Sequence, residues 1–545
     1  MMRRLSGLTG VTLAVTALSA FVTWPQARFL TSHLAAHHDA YFSIWRIGWI
    51  AHALATSPLH VFDANIFHPA AGTLAYSDAT MLEGLLGAPL FWAGLPPVLV
   101  YNLLLIAGFV GSGVAMFVLA RHVTSSSGPS LLAAAVFTML PYRIEHFMHL
   151  ELQWAMFIPL TFWALHRAVE STSWRWGATA GLFLWLQWLS CVYYGVFLAL
   201  ALLAFVPALV LSGPRDRVVS LIPSIAAAVV VAVVLTIPFA LPYVAAAREL
   251  GGRTVEDIAR YSASPMNYFS TTSLSWAWGW TADRWGGSEL RLFPGAIALL
   301  LALGACLRRP LRPVLVYTVT AAVAIELSFG LNGRLYRALF DQVGALQGFR
   351  SLSRFAIIAS CAIAVLSALG AEAFLARLRA RPLACAAMVP CLLALMLADY
   401  GNRPMGLTPA DPVQPPDVYK VIRGAAPGAV IELPVPDLSR LPGWDPFYQA
   451  WSLWHWKPLV NGYSGYHPRD YIDTLLRMLS FPDDASIGRL RAHDVRYVVV
   501  HRTFYDQDQY ATLMLRMAGR AEFKPWGAYR DVDGMADIFE LLPVD

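Results

Sequence analysis

The sequence predicts an α-helical polytopic membrane protein with about eleven transmembrane helices and a small C-terminal α/β domain on the outer side. Three observations carry this. Of 545 residues, 57% are hydrophobic and only 14% charged, more apolar content than a soluble chain of this length needs for a core. Apolar runs recur from residue 5 to residue 399, and about 20 helical residues cross a hydrocarbon layer about 30 Å thick. After Asp399 the chain turns polar and proline-rich.

The clear runs are 5–24, 98–120, 151–169, 175–190, 192–212, 218–246, 292–307, 313–330, 353–376 and 383–399. Two more are weaker: 79–95, broken by Pro89, and the short 128–141. The positive-inside rule chooses between them. If 128–141 spans and 79–95 does not, six basic clusters fall on one side: Arg3-Arg4, Arg121-His122, Arg167 to Arg175, Arg215 to Arg217, Arg308-Arg309 with Arg312, and Arg377 to Arg381. Any other choice misplaces at least one. The expected topology is therefore eleven spans in a bacterial plasma membrane, N-terminus in the cytoplasm, C-terminus periplasmic, with 79–95 in or dipping into the outer leaflet. The run after Arg3-Arg4 reads as a retained first helix rather than a cleaved signal, because further spans follow.

Three long segments then lie outside: 25–97, 247–291 and 331–352. Tyr41 to Thr56, with Ile44, Trp45, Ile47, Trp49 and Ile50, reads as an interfacial helix. Trp276, Trp278, Trp280 and Trp285 suit either an interfacial aromatic belt or stacking on sugar rings. The five cysteines all lie in or beside apolar runs, so no disulfide framework is expected. The expected domains are 1–399 in the membrane, a linker at 400–416 with five prolines, and a soluble α/β domain at 417–545. In the last, Ala429 to Leu433 and Arg496 to Val500 read as buried strands, and Arg469 to Leu479 and Ile487 to His493 as helices. No internal repeat is seen.

Polar residues concentrate on the outer side. The first loop carries His37-His38-Asp39, then His52, His60, Asp63, His68, Asp78 and Glu83. Tyr142, Arg143, Glu145, His146, His149 and Glu151 follow the third span. Arg350 and Arg354 stand at the outer end of the tenth, where the positive-inside rule disfavours cations; snorkelling to lipid phosphates is their structural alternative. No His-Glu-x-x-His or paired Cys-x-x-Cys motif is present, so no metal site and no required cofactor are expected, and a divalent cation has no motif behind it.

Several of these segments resemble large bacterial integral-membrane glycosyltransferases of the GT-C superfamily. They are Asp39-Ala40-Tyr41-Phe42-Ser43-Ile44-Trp45, Phe62 to Pro69 with Leu74 to Asp78, Leu140-Pro141-Tyr142-Arg143 followed by His149, Phe349 to Phe355 with its Arg-x-x-x-Arg-Phe pattern, and His455 to Gly465. Leu140 and Glu151 depart from the pattern, which has Ser and Gln there. The resemblance implies transfer of a sugar from a polyprenyl-phosphate donor to an acceptor hydroxyl on the outer face, with inversion. Asp39 would be the general base and Asp78 a second carboxylate that orients the acceptor or helps hold a divalent ion. Arg354, Arg350, Arg143 and His149 would bind the donor phosphate, because guanidinium groups match phosphate oxygens and a departing phosphate needs its charge neutralised. The partners implied are the lipid-linked donor, a glycan, lipid or protein acceptor and membrane lipids; no nucleic acid is expected. The sugar and the acceptor are not specified by the residues.

Two other readings stay open at this stage. A multi-pass transporter would show repeats and midplane charges, and Glu326 is the only deep acid that fits. A non-catalytic envelope anchor would present the C-terminal domain to a partner, with Trp451, Trp454, Trp456 and Tyr463 either packing a scaffold or stacking on glycan.

Overall fold

The computed structural model describes residues 2–213, 218–307, 312–378, 380–410 and 414–543, with side chains described from residue 7. Arg215 to Arg217, Arg308-Arg309, Arg379 and the linker's Pro412 lie outside the described residues, as do the side chains of Arg3 and Arg4. Contacts divide the chain into two units. One comprises Met1–Leu30, Asn102–Ala240 and Gly252–Leu407; the other comprises Thr31–Tyr101, Leu241–Gly251 and Thr408–Asp545. This division differs from a simple split near residue 400, because the first loop folds with the tail.

The first unit is helical. Every apolar run expected to span is helical over most of its length, although 151–169 is broken after Gln153 and resumes as Phe157–Ser171; five helices are long and apolar enough to cross a membrane: Pro97–Thr124, Val192–Leu211, Val219–Leu250, Leu352–Arg377 and Pro382–Tyr400. The others are shorter, among them Phe157–Ser171, Trp174–Ser190, Ala296–Cys306 and Arg312–Ser328. Ser127–Thr138 and Met81–Trp92 have 12 residues each, so length does not separate the two weak candidates. Leu352–Arg377 is the buried axis, packed by Ala296–Cys306, Arg312–Ser328 and Ser127–Thr138. Val219–Leu250 instead exposes Val229, Val230, Val233 and Val234, an apolar surface suited to lipid. Gly177 and Gly181 let Trp174–Ser190 approach the backbone of Ser224 and Ala228, where an added Cβ would come within 1.9 Å and 2.3 Å of carbonyl oxygens.

In the second unit, a four-stranded sheet is built from β1 (Ala429–Leu433), β2 (Val495–His501), β3 (Phe523–Arg530) and β4 (Met535–Leu541), in the order β1-β2-β4-β3. β1 and β2 are parallel; the other pairings are antiparallel. The two strands read from the sequence are the buried pair, and β2 runs Tyr497-Val498-Val499-Val500 with every side chain inaccessible. The helices Arg469–Met478 and Asp484–Ala492 match expectation to within three residues. Tyr448, Trp451, Tyr419 and Leu459 close the core on one side of the sheet.

The segment expected to be an interfacial helix forms His38–Thr56, but its apolar residues do not face outward. Trp45 and Ile50 are inaccessible or nearly so, and Trp49 is buried. The helix packs on Met81–Trp92 along one side and on Asp445–Trp451 of the tail along another, so aromatic content that suits a headgroup layer serves a protein core.

A buried polar chain runs under the sheet. His501 Nδ1 meets Asp531 at 2.6 Å and Nε2 meets Glu432 at 2.8 Å, while the Tyr419 hydroxyl donates to the same Glu432 oxygen at 2.7 Å. Burial pulls the His501 pKa down, but hydrogen bonds to two carboxylates prevail and lift it to about 9 from 6.5. A pKa raised on folding gives stability that is complete below about 6.5 and lost as pH rises through about 9. Hydrogen exchange at the β2 amides, corrected for intrinsic rates, is expected to quicken between those values. A protection profile flat over that range would contradict an imidazolium held between Glu432 and Asp531.

Candidate active site

In the second unit, Asp39 lies in the first turn of the His38–Thr56 helix. His37 caps that helix, its Nδ1 accepting from the Asp39 amide at 3.2 Å. A helix N-terminus favours negative charge. One carboxylate oxygen of Asp39 accepts a 2.7 Å hydrogen bond from the Tyr463 hydroxyl, contributed from 424 residues further along the chain. His37 and His38 stand 3.4 Å and 3.7 Å from its oxygens. The side chain keeps 12% of its surface accessible, so the group is held and still reachable.

Asparagine amides position Tyr463. Asn461 takes the Glu432 amide on its oxygen at 2.8 Å and donates to the Glu432 carbonyl and to Asp445, both at 3.0 Å. Asn65 accepts from the Trp45 indole at 3.1 Å and donates to Ser452 at 3.0 Å and to the Lys457 carbonyl at 3.2 Å. Backbone bonds from Leu459 to Asn65, and from Phe67 and His68 to Asn461 and Leu459, stitch the first loop to the tail. Gly462 lies under the Phe67 ring, where a Cβ would come within 2.8 Å. Asp78 is buried in the same unit, and its backbone carbonyl receives the buried Arg46 guanidinium at 2.5 Å.

In the first unit, Arg354 grips Glu289 through two bonds, Nη2 to Oε1 at 2.6 Å and Nε to Oε2 at 3.3 Å. Burial would raise the Glu289 pKa, but Arg354 and then His146 outweigh it and hold the carboxyl well below the usual range. Arg354 also lies 5.1 Å from the centre of the Tyr193 ring. Arg350 is half-buried over Tyr261, and its amide donates to the Tyr193 hydroxyl at 3.3 Å. Both cations are thus set around one tyrosine.

Arg143 differs. Its guanidinium is wholly buried and donates to the carbonyls of Phe137, Gln153 and Gly108 at 3.1, 2.7 and 3.2 Å, with Phe109 against its face. Those bonds brace the 137–153 segment, so a phosphate-binding role does not suit it. His149 lies on the same turn beside His146, their ring centres 5.6 Å apart. Glu326, the deep acid of the transporter reading, accepts from the Arg334 and Leu335 amides at 2.5 and 3.1 Å and so caps Leu335–Phe340.

Sequence reading passed over Glu289, Arg46 and the pairing role of Tyr463. Glu289 sits in a Gly-Gly-Ser-Glu turn of a loop dominated by tryptophan. Its one signal was an isolated acid there.

The described residues combine five helices long and apolar enough to cross a membrane, a buried guanidinium–carboxylate pair in the first unit and a tethered aspartate in the second. The chain is similar to the arabinofuranosyltransferase AftD from mycobacteria, at 13% identity and a TM-score of 0.61. The match covers all of this chain and 40% of AftD, so the chain spans about two fifths of that protein's length. It is also similar to the oligosaccharyltransferase AglB from Archaeoglobus fulgidus, solved with an inhibitory peptide and a dolichol-phosphate. That match has 13% identity, a TM-score of 0.51, and covers 97% of this chain and 74% of AglB. No family model and no curated protein matches the sequence. The fold is that of the GT-C glycosyltransferases, as the sequence motifs imply.

If Arg143 is a brace, Arg143→Ala should strand three carbonyls and lower the melting temperature by several degrees, reflecting about 3 kcal/mol or more. Arg143→Lys should recover little, since an ammonium lacks the planar fork. Unchanged melting with weakened donor binding would instead return Arg143 to the phosphate.

Proposed function

We propose that the protein transfers a sugar from a polyprenyl-phosphate donor to an acceptor hydroxyl on the outer, periplasmic face of the membrane. The observation that carries the reading is the tethered Asp39: a carboxylate at a helix N-terminus, oriented by a phenol and partly open to solvent. The fold likeness to AftD and AglB supports the sugar-transfer class, and AglB's dolichol-phosphate supports a lipid-phosphate carrier. In this reading the chain threads the membrane eleven times with its N-terminus in the cytoplasm; five helices long and apolar enough to cross support a multi-pass chain.

Asp39 takes the proton from the acceptor hydroxyl. That oxygen attacks the anomeric carbon, the bond from that carbon to the phosphate oxygen breaks, and the configuration inverts. The lipid phosphate departs with the bonding electron pair. Arg354 neutralises it with the Nη1 edge that Glu289 leaves over, and Arg350 adds a second cation. Asp78 orients the acceptor. A positioned base contributes about 10²–10⁴-fold.

Purified protein offered a panel of polyprenyl-phosphate sugars should release lipid phosphate. Asp39→Asn should cut turnover by about 10²–10⁴-fold, and Arg354→Ala should weaken use of the donor. Undiminished turnover in Asp39→Asn would remove the proposed base. Substrate flux into vesicles with no turnover on any donor would favour transport. Absence of both, with Asp39 and Arg354 dispensable in cells, would favour an anchor.

A further inference from the structure

Three ligand-type groups converge in the first unit. A ring nitrogen of His146, one of His149 and a carboxylate oxygen of Glu289 all lie within 4.8 Å of one another. The two histidines come from the turn that Arg143 braces, three residues apart, and Glu289 comes from the Ser288–Leu290 turn. This grouping does not involve the first loop.

His146 is 2% exposed, and its Nε2 has no hydrogen-bond partner. A buried imidazole nitrogen left unpaired is costly. Its Nε2 points toward Glu289 Oε2 at 3.9 Å, too far for a hydrogen bond. Two ligands of one tetrahedral ion, each about 2.1 Å from it, stand roughly 3.4 Å apart. A small inward movement of the side chains would therefore close the set.

The charges also suit a cation. His146 Nε2, buried and without a hydrogen-bond partner, can present its lone pair in the neutral ring. Glu289 pairs with Arg354 as a carboxylate, and Glu151, where a neutral glutamine is the pattern, lies two residues from His149. Arg354 opposes a cation, but it reaches it through Glu289. A carboxylate oxygen has lone pairs for two partners, and a ligating carboxylate is itself ordinarily hydrogen-bonded from behind.

We infer that His146, His149 and Glu289 hold a divalent transition-metal ion of the zinc type, with a fourth position open. Two imidazoles and one carboxylate are a donor set for Zn²⁺ and its neighbours, not for Ca²⁺ or Mg²⁺, which take oxygen ligands. The ion would tie the 141–153 turn to the 288–290 turn and fix the carboxylate that orients Arg354. The inference stands apart from the sugar-transfer reading.

The test is metal content of the tag-free full-length chain, stripped with chelator, dialysed against Zn²⁺ and analysed by mass spectrometry. One Zn²⁺ per chain is expected, with a melting temperature raised by a few degrees over the stripped protein. His146→Ala should lower occupancy more than tenfold. If that variant fails to fold, His149→Ala and Glu289→Gln should do the same. His37→Ala should retain the ion, which separates this set from the His37-His38-Asp39 cluster. No ion above the dialysis blank, or full occupancy in folded His146→Ala, His149→Ala or Glu289→Gln, would overturn the inference.

Discussion

The hydrogen bond from Tyr463 to Asp39 couples two segments that lie more than four hundred residues apart. Asp39 owes its placement to a helix that would be an ordinary amphipathic surface element were it not clasped by the tail. The clasp is polar and specific: Asn65 and Asn461 each satisfy three partners, and the backbone bonds between 65–68 and 459–461 fix the register. Each of those amides is buried, so a slip by one residue would strand several donors at once. The tail is part of the structure that presents the carboxylate, and the aromatic segment His455 to Gly465 contributes by positioning as well as by packing.

The first unit uses charge differently. Glu289 and Arg354 form a buried two-bond pair, and such a pair is weak evidence of stability, because desolvation offsets much of the Coulomb gain. Its value lies in orientation. With one edge of the guanidinium committed to Glu289, the other is set in a defined direction, as binding a departing phosphate requires. Arg143, chemically the same side chain and also buried, spends its described hydrogen bonds on three backbone carbonyls and the Ser112 hydroxyl. The difference lies in the company each keeps: Arg354 has a carboxylate and a tyrosine ring, Arg143 the ends of broken helices.

Hydropathy and period made the helices readable, since every long apolar run had to satisfy its own backbone. The strands Ala429–Leu433 and Val495–His501 were readable for a related reason: they are buried on both faces, and Val430-Ile431 and Val498-Val499-Val500 form continuous apolar runs within them. Phe523–Arg530 was not, because most of its residues are exposed and it carries a proline and a glycine. The His38–Thr56 helix was placed correctly along the chain and wrongly in its surroundings, as aromatic residues fit a membrane interface and a protein core equally well. Asp39 and Arg354 were found through motif resemblance. Glu289 and Tyr463 could not be paired with them from spacing, because both pairings are set by tertiary structure.

The most direct measurement is the steady-state rate of Tyr463→Phe with a polyprenyl-phosphate sugar that the wild type consumes. The substitution removes one hydroxyl and leaves the ring that packs against Phe42 and His38. If the phenol holds the base in position, kcat should fall by about tenfold or more, equivalent to about 1.4 kcal/mol, with donor KM little changed and the melting temperature preserved. A kcat equal to that of the wild type would contradict the role given to this contact, and with it the account of how Asp39 is held for catalysis.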